Sequence, residues 1–456
     1  MKRNISFVII SVLVFYLITG CSTGNPTTKA SYKITDSTAT QLSAVTTHYK
    51  DTGVVSMSSA NTPQQVNVLT QKCNQDAKLV TWAVKASDNV GFTRKNVADI
   101  ARDYEDKHNG WKVLGGINAD QYYPNEGVKG HADGSDYFVP QPYGCLIADG
   151  EKWFAINAKP YGGNGTYFAG FLNNGSSDQI LEGRTNWTIT DSSRFNLSGL
   201  YVTIYNGSEI TGKYKIEKFN EAPGENESSL YSPYVEEGSI INPYPVSGTN
   251  LFVVDNAEQA YVSNSITYTY KATNDQKEGR NAQNAFFGKG TITSSSTSVT
   301  LTEGQFAIDT KNSDVQSALK DGAKIVVQFE YEGPINQVES ATAYHTIMRS
   351  NDRDISSASP YNTQRYPRSF FGRKADGTMV LIAVDGSQAD KGMPGTNQYE
   401  GCGLLRYYGV TEAYQMDGGG SVTMVVRQDD DFVVVNSPSG GSPRKVLSAL
   451  LFVVRE

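Results

Sequence analysis

The residues best equipped for chemistry sit in Gln415-Met416-Asp417-Gly418-Gly419-Gly420-Ser421-Val422-Thr423, between two strand-like apolar runs over 410–416 and 422–427. One carboxylate, three consecutive glycines and two hydroxyls adjoin there. Glycine weakens a strand unless the backbone must adopt positive φ or approach another group closely. Three glycines before a serine can turn several peptide N–H groups into one concavity, which binds an anion without a lysine. A plain hairpin turn uses the same glycines, but the flanking carboxylate and hydroxyls favour a site. Asn118 and Asp120 form a second candidate. They follow the apolar run 113–117, and a strand end holds polar groups firmly while the next loop opens to solvent. The same pair also suits a turn cap. Asp385-Gly386 follows the apolar run 378–384 in like manner, as a site or as a turn.

Several elements must position these residues. KLVTWAVK (78–85) alternates as a strand, and 323–331, 431–436 and 446–454 also read as strands. In 96–107, Val97, Ile100, Ala101 and Tyr104 recur at helical spacing behind Asn96 as N-cap, and Asn109-Gly110 ends the helix. A helical turn is expected over 314–320 and a helix over 398–408, with a polar loop over 351–367 carrying Arg353 and Arg365. Strands alternating with two or three helices imply an α+β fold, its helices packed on mixed or antiparallel sheets. The 43 glycines and 27 tyrosines agree with a β-rich extracytoplasmic domain.

The first twenty residues read as a signal peptide. Lys2 and Arg3 precede an apolar run over 5–18, and Ile18-Thr19-Gly20-Cys21 has the form of a lipoprotein processing site with Cys21 lipidated. Residues 21–44 read as a flexible tether rich in Ser, Thr and Asn, so the expected domain spans 45–456, exported and lipid-anchored to a bacterial envelope, the outer membrane by expectation. Without residues 1–20 the chain has 38 basic and 47 acidic residues, a net charge of −9. That balance argues against a nucleic-acid partner. Cys73, Cys145 and Cys402 allow at most one disulfide, and the four scattered histidines form no metal motif.

Four pieces in order carry a resemblance: Ile117-Asn118-Ala119-Asp120, Arg368-Ser369 with Gly372, Asp385-Gly386 with Gly392-Met393, and Asp417-Gly418-Gly419-Gly420-Ser421-x-Thr423. With Pro443-Arg444-Lys445-Val446-Leu447-Ser448, they make the chain resemble the phosphodiester glycosidase family. The likeness is close over 365–456, moderate over about 110–150 and weak over about 160–360, an enlarged middle region. Gln121-Tyr122-Tyr123 departs from the family's aromatic placement. The resemblance implies hydrolysis of a sugar linked through its anomeric carbon to phosphate. A phosphomonoester, with a second pKa of about 6, leaves without much acid help; ordinary glycosidases need a carboxylate pair. Arg368 and Arg444 then suit the phosphate, since guanidinium forks match its oxygens. The Gly418, Gly419 and Gly420 amides, the Ser421 and Thr423 hydroxyls and Asn118 would add donors. Asp417, Asp385 and Asp120 are the carboxylates for the sugar carbon, with Arg368 counted among the catalytic set. No cofactor is required, although Asp417 and Asp385 beside a phosphate also suit calcium or magnesium. The alternatives are a non-catalytic glycan-binding lipoprotein, and a phosphoesterase cutting P–O.

Overall fold

The computed structural model describes residues 29–58, 60–85, 92–123, 141–142, 144–154, 166–172, 179–185, 194–195, 197–235, 239–240, 243–263, 285–302, 304–331, 334–355 and 363–456. The signal segment and Cys21 lie outside them. Among the described residues, no helix is long and apolar enough to cross a membrane.

The fold is α+β but dominated by antiparallel sheets. The first sheet has eight strands in the order Ser31–Gln41, Thr46–Met57, Ala60–Gln71, Met379–Val384, Arg368–Lys374, Val410–Gln415, Thr346–Ser350 and Arg353–Asp354. The second has six, in the order Asp431–Val434, Met424–Gln428, Trp111–Asn118, Ser448–Arg455, Ala77–Lys85 and Phe92–Thr93. Alternation along each strand gives every sheet two distinct faces. Leu69, Phe371, Leu381 and Met416 of the first sheet pack against Ile117, Met424, Leu450 and Phe452 of the second. Each such side chain contributes roughly 1.5–3 kcal/mol of burial, so this inner layer fixes how the sheets' ends meet.

Helices cover the outer faces. Gln398–Tyr407 lays Cys402, Leu404 and Leu405 on Phe370, Ile382 and Val66 of the first sheet. Its N-terminus is closed by a capping box between Asn397 and Glu400. Val97–Lys107 places Val97, Ile100 and Tyr104 against the second sheet, capped by Asn96 as expected. The helical turn is Ser313–Ala318.

Two further sheets come from residues 146–343 and 197–331. A six-stranded sheet joins Leu146–Ala148 and Glu151–Phe154 to Ser340–Ala343, Thr166–Leu172, Gln179–Thr185 and Arg194–Phe195. An eight-stranded sheet is built from residues 197–331. Its Leu200, Val202, Phe287 and Val327 join the same apolar cluster as the 97–107 helix.

One expectation is corrected. The segment read as a flexible tether is a strand from Ser31 to Gln41, paired from Ser31 opposite Ser56 to Gln41 opposite Thr47. Tyr32 is buried there, edge-on to Tyr407. Thr-rich sequence suits an edge strand with one solvated face, so polarity alone hid it. Cys145 and Cys402 are buried thiols outside any disulfide.

Candidate functional site

The first and second sheets bring their strand ends to one place, and Asn118 fastens them together. Its Nδ2 donates to the Asp417 carbonyl at 2.8 Å. Its Oδ1 accepts from Ser369 Oγ at 2.6 Å and from the Thr423 amide at 3.2 Å. The Asp417 amide donates to Ala119 O at 3.1 Å, and that of Met416 to Ser369 O at 2.9 Å. Asn118 is fully buried and its amide is spent on these bonds, so it holds the site together rather than facing a ligand as the sequence suggested.

The glycine loop is a short 3-10 turn, Gly419–Ser421, with Gly419 at φ +61°. Its amides do not form the free anion nest expected. Gly418 N–H donates to Asp417 Oδ1 at 2.9 Å, and Gly419 N–H to Pro367 O at 2.9 Å. Ser421 and Val422 bond back to Gly418 and Gly419 at 3.3 Å each. The Asp417 carboxylate takes the first of these donors and the Pro367 carbonyl the second. Gly420 has a different purpose. A Cβ there would stand 2.2 Å from Arg444 Nη2, so glycine lets the guanidinium lie against the backbone. Arg444 is exposed, its Nη1 3.5 Å from Ser421 Oγ.

Asp120 and Asp417 form a coupled pair. Asp120 is 8 % exposed and its Oδ2 has no hydrogen-bond partner. Burial, with the Asp417 charge adding to it, pushes Asp120 up to about 8, against a single counteracting bond from the Gln121 amide. Burial also raises Asp417, but the Ser421 side chain, the Gly418 amide, Arg444 and the Gln121 side chain all oppose that rise. Burial thus raises both carboxyls, and Asp417 has four opposing groups where Asp120 has one. Gln121, whose amide and side chain serve both carboxylates, was not a sequence candidate; its only signal was the departure from the aromatic pattern.

The other candidates lie on neighbouring strand ends. Arg368 is completely buried. It donates through Nε to Thr396 O at 2.6 Å, through Nη1 to Gln415 Oε1 at 2.8 Å and through Nη2 to Gln364 O at 2.9 Å. Its fork thus grips the protein's own loops, in place of the phosphate the sequence assigned to it. Asp385 is buried and accepts at Oδ1 from the Ser437 amide at 2.8 Å and Asn436 Nδ2 at 3.2 Å. Burial raises it to about 6, with those two bonds and Lys50 opposing. Thr423 is buried, its Oγ1 without a partner. His345, one of the four scattered histidines, immediately precedes the Thr346–Ser350 strand.

Among the described residues, no group of three or more His, Cys, Asp or Glu side chains is placed to hold a metal ion. Asp417 and Asp385 each bind different protein donors, so as a donor set they do not fit the shared cation considered above.

A sheet-dominated α+β scaffold with a carboxylate pair and an exposed arginine at converging strand ends defines the class. The family model described as phosphodiester glycosidase (NAGPA) matches residues 246–453, and the resemblance stated above stands. The match contains Arg368, Asp385, the 417–423 loop and Arg444, and begins well before residue 365, inside the middle region. Asn118 and Asp120 lie outside it. No curated protein matches the chain. Similar solved structures include a hypothetical protein from Synechocystis, at 16% identity and TM-score 0.47, covering 92% of this chain and 64% of that one. Another is the catalytic domain of zebrafish N-acetylglucosamine-1-phosphodiester alpha-N-acetylglucosaminidase, auto-inhibited by its pro-peptide, at 10% identity and TM-score 0.40, covering 94% of this chain and 88% of that one. This chain thus spans less than two thirds of the Synechocystis protein.

Proposed function

We propose that this protein is an exported, lipid-anchored hydrolase that cleaves a sugar-1-phosphodiester at the glycosyl C–O bond, releasing a phosphomonoester. The observation that carries the reading is the pair itself: a buried Asp120 with an unpartnered oxygen, beside Asp417 at the head of a loop against which the exposed Arg444 lies. The family match supports the substrate class.

In this reading Arg444 grips the phosphoryl oxygens. Asp417 sets negative charge where the anomeric carbon becomes positive, and Asp120, its Oδ2 unpartnered, receives the proton that the attacking water gives up. The C–O electron pair leaves with the phosphate, and water supplies the hydroxyl that ends on the sugar. Asn118 and Arg368 keep the loops in register. No step is assigned to a metal.

The test is hydrolysis of a panel of sugar-1-phosphodiesters in ¹⁸O-water, wild type beside Asp417→Ala. Label in the sugar, with turnover lost in the variant, is expected. Label in the phosphate would replace the reading with a phosphoesterase. Tight binding without turnover by the wild type would leave a glycan-binding lipoprotein. For the anchor, Cys21→Ser should release the protein from the membrane fraction; retention there would overturn lipidation at Cys21.

A further inference from the structure

Arg444 sits on a loop that is open in the middle and fastened at both ends. At the near end, Asn436 Nδ2 donates to Val422 O and to Asp385 Oδ1, each at 3.2 Å, while its Oδ1 accepts from the Met424 amide at 2.8 Å. The next residue, Ser437, is held three times. Its amide donates to Asp385 Oδ1 at 2.8 Å, its carbonyl accepts from Gln388 Nε2 at 3.0 Å, and its hydroxyl donates to Gln388 Oε1 at 3.2 Å. The chain then turns through Pro438–Gly441, closed by a 2.9 Å bond, and a Cβ at Gly440 or Gly441 would meet nothing within 4 Å. At the far end, Tyr122 OH donates to Lys445 O at 2.8 Å, and Val446 exchanges backbone bonds with Lys95 at 2.8 and 3.0 Å. Arg444, immediately before Lys445, is therefore stationed over Gly420 by its neighbours' bonds as well as by its own contact with Ser421 Oγ.

We infer that Asp385 with Gln388 on one side, and Tyr122 on the other, are positioning residues that set the Arg444 guanidinium against Gly420 and thereby its grip on the phosphoryl group. The inference rests on the function proposed above. It replaces a direct role for Asp385 at the sugar carbon: both donors on its Oδ1 come from the 436–437 segment, and what the carboxylate fixes is the root of a loop. It also links the acid pair to the cation, because Tyr122 is two residues beyond Asp120.

The test uses the whole protein and three variants, Asp385→Asn, Gln388→Ala and Tyr122→Phe, each alone and with Arg444→Ala. Tyr122→Phe removes one hydroxyl and guards against a folding failure in the others. Each single variant should raise KM for a sugar-1-phosphodiester roughly three- to tenfold, the size of a lost hydrogen bond to a positioned group, with kcat within about twofold. In the Arg444→Ala background the same changes should alter KM by less than about twofold, because residues acting through one group are not additive. Hydrogen exchange over residues 437–445, without substrate, should accelerate in all three single variants. Additive KM effects, a fall in kcat at constant KM, or unchanged exchange would overturn the proposal. Should the wild type turn over no such substrate, the proposed function fails, and the exchange measurement alone then decides whether these residues hold the loop.

Discussion

Two strand ends carry the same local signal and end in different states. Trp111–Asn118 leads to Asp120, and Met379–Val384 leads to Asp385. Both aspartates are buried, and both are raised by that burial. Asp385 is answered by Ser437 N–H and Asn436 Nδ2 and reaches about 6. Asp120 has one amide donor, the Asp417 carboxyl as a neighbour and an oxygen with no partner, and reaches about 8. A carboxylate whose hydrogen bonds are completed by its own protein is a fastening; one left incomplete beside a second carboxylate is poised to exchange a proton.

This comparison predicts its own largest contrast in activity. Asp120→Asn should lower kcat by about 10²–10⁴-fold, the usual range for a positioned acid or base, with the folded structure kept. A loss under tenfold would place Asp120 with Asp385 as a fastening. In stability the order reverses. Asp385→Ala leaves the Ser437 amide and Asn436 without their acceptor, and should cost on the order of 1–3 kcal/mol by denaturant titration. Asn118→Ala, which removes the clasp between the two sheets, should cost at least as much. A cost below about 0.5 kcal/mol for either would show that the inner apolar layer alone aligns the strand ends.

Gly420→Ala sharpens the same contrast at the loop. The new methyl meets the end of the flexible Arg444 side chain, so the arginine moves and the fold does not. KM should rise several-fold with little change in Tm; a large loss of stability would mean that the loop, not Arg444, needed the space.

The last contrast is in pH. For Asp120 the folded-state value of about 8 lies above the ordinary 3.8. Below 3.8 both states are protonated and the group contributes no difference. Between about 4 and 8 only the unfolded chain ionises it, so stability falls as pH rises through that window. For Asp385 the window closes near 6. Asp120→Asn should therefore flatten the decline between pH 6 and 8, where Asp385→Asn should not. Equal slopes in the two variants would erase the distinction between the ends.

Much of this was legible from local pattern. The helical spacing behind Asn96, the apolar runs before Asp120, Asp385 and Asp417, and the order of the C-terminal motifs are contacts between near neighbours or direct consequences of periodicity. Which polar groups bond to one another was not. The glycine amides looked free because no sequence shows that Pro367 would offer its carbonyl to Gly419. Arg368 looked like a phosphate fork because Thr396, Gln364 and Gln415 converge on it only after folding.

The strand 31–41 escaped because polar edge strands and tethers share a composition. The chain alone determined where carboxylates, glycines and arginines stand relative to their own strands, since two-residue alternation and turn chemistry act over a few positions. Only the tertiary structure decided which carboxylate is satisfied and which is not. That depends on donors brought from tens to hundreds of residues away, and on the water excluded when the two sheets close.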